Sequence, residues 1–85
     1  MFFEKRGSDN IGMELPIMQE GCYECLYRLV LHDKAGLNGT KLGTVPEKAV
    51  MEITEIKNLT VSVWGRTRAG WLCMYMNQTF YVKKT

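Results

Sequence analysis

An all-β fold, a small barrel or sandwich of five or six short strands, is what this sequence predicts, and three observations predict it. Apolar residues alternate with polar ones in several runs of four to ten residues. Clusters of Gly, Asn, Asp and Pro separate those runs at short intervals, and no segment sustains the 3.6-residue period of an amphipathic helix.

Taken in order, residues 1–14 carry Gly7, Ser8, Asp9, Asn10 and Gly12 without any period, so they are expected to form a tail or linker, leaving 15–85 as the folded domain. "ELPIMQEG" holds Pro16 and ends in Gly21, which permits a short turn or an extended lead-in but no long helix. In "CYECLYRLVL" Tyr23, Cys25, Tyr27, Leu29 and Leu31 recur at every second position, giving the longest strand expected. "HDKAGLNGTK" is rich in turn formers and is expected to be a long loop. "LGTV" resumes a strand up to Pro46, and "AVMEITEI" alternates again before a polar turn at "KN". In "TVSVWGRT" Val61, Val63 and Gly65 share one face while Ser62, Trp64 and Arg66 share the other. "RAG" then reverses the chain into "GWLCMYM", "NQT" breaks it, and "FYVKK" is the closing strand.

The 85 residues are enough for one domain with one core, and a hydrophobic fraction of 46% argues against disorder. A net charge of +2 with scattered basic residues disfavours a nucleic-acid partner, which would want a basic stripe interleaved with aromatics. No apolar run approaches the ~20 residues that span a bilayer, and the first residues lack an export h-region. The odd count of three cysteines disfavours a disulfide scaffold, so a cytoplasmic location is the expectation for the chain as given. Asn38, Asn58 and Asn77 stand in Asn-x-Thr triplets, which turn chemistry accounts for without glycosylation.

Catalytic and cofactor signals are weak. Cys25 or Cys73 with His32 is the one nucleophile–base pair available, Cys22 and Cys25 supply at most half a zinc site, and no phosphate-binding or dinucleotide fingerprint is present. No cofactor or metal is therefore expected.

Gly43 and Thr44, then Val50 to Ile56, Trp64 with Gly65 and Thr67, then Gly70, Trp71 and Leu72, and lastly Tyr81 and Val82 follow a pattern that resembles the bacterial SH3 (SH3b) family over about residues 23–83. The resemblance implies an SH3-like barrel and attachment to cell-wall peptidoglycan, usually as an appendage of a hydrolase. The chain departs from the family pattern at "LVLHDKAGLNGTK" and in the length of "CMYMNQT". The eukaryotic SH3 pattern is more distant, for the "ALYDY" motif is missing.

Two tryptophans seven positions apart bracket the turn "RTRAG" and are expected on adjoining strands. One reading makes them a cross-strand pair serving the fold, with a contribution of about 0.2–1 kcal/mol. The other makes Trp64, Trp71, Tyr75 and Tyr81 an aromatic groove beside the long loop, with Asp33, Asn38 or Arg66 orienting an extended peptide. The expected function is a non-catalytic module for a peptide or protein partner, with cell-wall binding as the alternative and self-association through a strand edge open.

Overall fold

A computed structural model describes residues 15–85, and the predicted tail at 1–14 lies outside the described residues. The fold is all-β; among the described residues there is no helix. The strands are β1 (Gly21–Cys25), β2 (Leu29–His32), β3 (Lys41–Val45), β4 (Val50–Ile53), β5 (Glu55–Asn58), β6 (Ser62–Thr67), β7 (Gly70–Met76), β8 (Thr79–Phe80) and β9 (Val82–Lys84). They form two antiparallel sheets, one of order β4-β1-β9 and one of order β3-β2-β7-β6-β5 with β8 added on β7.

Among the described residues nine strands stand where five or six were expected, and the two sheets do not close into a barrel. The reason is that three of the expected strands bend at a corner and pass from one sheet to the other, as chains at the edges of packed sheets do. The run 22–31 breaks at Leu26–Arg28, "AVMEITEI" breaks at Thr54, and "FYVKK" breaks at Tyr81. A backbone hydrogen bond ties each corner. Leu26 N donates to the Tyr81 carbonyl at 2.9 Å, Thr54 N to the Arg66 carbonyl at 2.9 Å, and Tyr81 N to the Met74 carbonyl at 2.9 Å. The first corner turns Tyr27 outward, so it is exposed rather than part of the core face. The polar "KN" also continues β5 instead of turning, and the reversal falls at 59–61.

The core lies between the sheets. Tyr23, Cys25, Ile53 and Val82 come from the smaller sheet and meet Leu29, Leu31, Val45, Val63, Leu72 and Met74 from the larger. Gly65 completes this face of β6, because a Cβ there would stand 2.6 Å from Met74 Sδ and 2.9 Å from Ile53 Cγ2. Opposite Val63 and Trp64, β7 carries a bulge: Val63 pairs with Tyr75 and Trp64 with Cys73, leaving Met74 unpaired. The β6–β7 hairpin turns at Arg68–Ala69, where Ala69 N donates to Thr67 Oγ1 at 3.0 Å and that hydroxyl donates to the Gly70 carbonyl at 2.9 Å. Gly70 has φ of 140° and lies against the His32 carbonyl, 2.8 Å from where a Cβ would stand, which is why "RAG" ends in glycine.

Candidate functional site

The face of the larger sheet turned away from the core carries the chemistry. Register places Lys41, His32, Trp71, Arg66 and Glu55 in one row across β3, β2, β7, β6 and β5. A neighbouring row holds Cys73, Trp64 and Lys57. The pleat explains the segregation: Leu29, Leu31, Val63 and Leu72 take the alternate positions and fill the core.

Trp64 lies on this outward face and is nevertheless 1% exposed. Its indole Nε1 donates to Ser62 Oγ at 3.0 Å, and its ring meets the His32 ring edge-on at 5.3 Å and 77°. The loop over residues 33–40 stands beside it and leaves a hollow on either side. One, of about 330 Å³, is walled by His32, Leu37, Trp64, Cys73, Met76 and Tyr81 among others. The other, of about 450 Å³, is walled by Leu37, Asn38, Leu59, Trp64 and Met76 among others. Leu37, Trp64 and Met76 thus line both.

Asp33 shapes this loop. Its Oδ1 accepts from Thr40 N at 2.8 Å while its own N–H donates to the Thr40 carbonyl at 2.9 Å, closing the loop at its base. Asn38 is exposed on the second hollow. Tyr81 is half-buried on the first hollow, with its ring 5.7 Å from that of Tyr27. Trp71 is half-buried and stands in register with Arg66 on one side and His32 on the other. It is diagonal to Trp64, which faces Cys73, because the two-residue turn pairs Thr67 with Gly70 and fixes every later pair. Arg66 reaches Glu55 at 3.4 Å, and both side chains are more than half exposed, so this ion pair contributes little to stability. Tyr75 goes the other way: the bulge turns it toward the Val63 side, where its ring packs against Phe80 at 4.9 Å. The structure therefore gathers Trp64, Trp71, Tyr81, Asn38 and Arg66 on one face with the Asp33 loop and separates Tyr75 from them.

Residues the sequence reading did not assign to this site are Arg28, Leu37, Lys41, Cys73 and Met76, and His32 enters as a wall rather than as a base. The alternation of β2 already placed His32 with Val30, opposite Leu29 and Leu31, and that was the available signal. His32 is 6% exposed and its Nδ1 has no hydrogen-bond partner. Burial pushes the Cys73 thiol up to about 11, and its Sγ donates to the Tyr75 carbonyl at 3.6 Å. Burial, followed by the nearby Glu24 charge, pushes the Cys25 thiol up as well. Cys22 is exposed and Cys25 buried, so the two thiols of "CYEC" point to opposite sides of β1. Among the described residues no cluster of three His, Cys, Asp or Glu side chains could hold a metal ion. No family model, curated protein or solved structure matches this chain at a significant level.

Proposed function

We propose that this domain is a non-catalytic binding module that grips an extended peptide or protein segment across the outward face of its larger sheet. The observation that carries the reading is the half-exposed Trp71 standing in one row with Lys41, His32, Arg66 and Glu55, next to a hollow walled by Trp64 and Tyr81. Aromatic side chains supply large contact area with few rotamers to freeze, and the charged ends of the row give polar groups that set direction. A binding rather than catalytic role fits Cys73, which lines the same hollow as His32, since a thiol raised to about 11 carries almost no thiolate at neutral pH.

Titration of labelled protein with peptide pools, followed by amide-correlation NMR, tests the reading through the two indole N–H signals. Trp71 and the 33–41 segment should move together. Trp71→Ala should weaken binding by about tenfold or more while keeping a cooperative melt, and Arg68→Ala, on the turn, should change binding much less. Shifts confined to the opposite face of the domain would end this proposal.

Peptidoglycan is the second ligand class, supported by the likeness of "VWGRTRAGW" to the bacterial SH3 pattern. Sedimentation with purified cell walls separates the two: a wall ligand pulls the domain into the pellet, and a protein ligand leaves it in the supernatant.

A further inference from the structure

The hollow on the His32 side of the 33–40 loop has an apolar interior and a cationic mouth. Leu29, Leu37, Trp64, Met76 and Tyr81 are among its walls, and Arg28 and Lys41 are its two charged lining residues; no carboxylate lines it. Both cations are exposed. Among the described residues the ion pairs are Arg66 with Glu55 and Lys83 with Glu24, so neither Arg28 nor Lys41 has an acidic partner there. The wall also contains the one buried side-chain polar atom without a hydrogen bond among the described residues, His32 Nδ1.

These features restrict the occupant. A volume of about 330 Å³ is at the low end of the roughly 300–1,000 Å³ typical of ligand pockets and suits one residue rather than a long ligand. Two cations with no acidic partner among the described residues call for an anion, and a fork-shaped guanidinium suits a carboxylate. The apolar walls call for a large side chain on the same residue. Aspartate and glutamate lack that bulk, whereas the last residue of a peptide offers a carboxylate and any side chain together.

Resting on the binding-module reading, we propose that this hollow captures the C-terminal residue of a peptide partner, with its aromatic or large aliphatic side chain against Leu37, Met76 and Tyr81 and its carboxylate held by Arg28 and Lys41. The rest of the peptide then runs along the sheet toward Trp71.

Three N-acetylated tripeptides test this on the full chain: one ending in phenylalanine as the free acid, the same as its C-terminal amide, and one ending in alanine as the free acid. The phenylalanine acid should bind about tenfold more tightly than either of the others, and its binding should weaken as salt is raised. Arg28→Gln and Lys41→Gln should each cost several-fold in affinity for that acid, while the melting temperature stays unchanged because both side chains are exposed. The Trp64 indole signal should shift on binding. Equal affinity for acid and amide, or an acid affinity untouched by both substitutions, overturns the proposal. If acid and amide bind equally while Trp71 and the 33–41 segment respond, the binding face survives and the carboxylate pocket falls. If no tripeptide and no peptide pool moves either indole, both readings fall.

Discussion

Replacing Gly65 with alanine is the sharpest test of how the two faces of β6 are built. The Gly65 backbone carries no positive φ, so the expected penalty comes from space rather than from backbone conformation. The added Cβ would stand 2.6 Å from Met74 Sδ and 2.9 and 3.0 Å from Ile53 Cγ2 and Cδ1, closer than such atoms are found. Met74 is 0% and Ile53 1% exposed, so neither side chain can retreat into solvent. Overpacking of this kind costs about 1–3 kcal/mol. In a domain of this size each kcal/mol lowers Tm by about 4–8 °C, giving an expected fall of roughly 4–24 °C. Thermal melts by circular dichroism, with a urea series to show an unchanged m-value, measure it. The cause is then isolated by Met74→Val, which removes the colliding sulfur: the double variant should be less destabilised than the sum of the singles by about 1 kcal/mol or more. A Gly65→Ala protein within about 0.5 kcal/mol of the parent, or strictly additive singles, would refute the packing described for the core face of β6.

Ser62→Ala removes the acceptor of the Trp64 indole N–H inside a closed environment and should destabilise by about 1–3 kcal/mol, read from the same melts. With the thiols, one of three should react quickly at pH 8 with an aromatic disulfide reagent, the exposed Cys22, while the half-buried Cys73, its thiol raised to about 11, reacts slowly and the buried Cys25 responds only on unfolding; three fast thiols would contradict this order. The same two groups give a pH dependence. A thiol whose pKa is raised by folding stays protonated in the native state while the unfolded chain ionises, so the stability it contributes is intact below pH 9 and for Cys73 is lost between about 9 and about 11. Melts in that window should fall less for Cys73→Ser than for the parent. Asp33→Ala removes the bond to Thr40 N at the base of the loop, at a cost of about 0.5–1.5 kcal/mol, and should shift tryptophan emission to the red by loosening the cover over Trp64. An emission spectrum unchanged in that variant would mean that the loop does not depend on Asp33.

Much of the fold was legible because alternation is a local property. The division of β6 into Val63 and Gly65 against Ser62, Trp64 and Arg66 is the division the structure shows, although Val61, expected with the first pair, lies exposed before the strand, and the turn formers at 33–40 mark a real loop. The corners were not legible, since a strand that bends from one sheet to another keeps its apolar alternation: Tyr23, Cys25, Leu29 and Leu31 all reach the core although Leu26–Arg28 interrupts the strand between them. Tyr75 shows the same limit in the site. Strict alternation puts it with Trp71 and Cys73, and only the long-range pairing of β7 with β6, which leaves Met74 as the bulged residue, turns it to the other side.

Trp64 shows why composition could not decide between fold and site. A tryptophan on the face away from the core has two fates: it stays exposed and binds, or another part of the chain covers it. Here the chain does the covering, with Ser62 taking the indole N–H, His32 meeting the ring edge-on from β2, two strands away in the same sheet, and Leu37 on the loop above. A small domain has little apolar surface to bury in one core, so a second apolar cluster on the outer side of the larger sheet adds burial that a single core cannot supply. The loop must span the indole without filling the space on both sides of itself, and the hollows at Leu37 follow from that span. Stability and binding therefore draw on the same residue. Trp64 anchors the loop that forms the hollow, whereas Trp71, one diagonal step away and half-exposed, is the tryptophan that a partner can reach without unfolding anything.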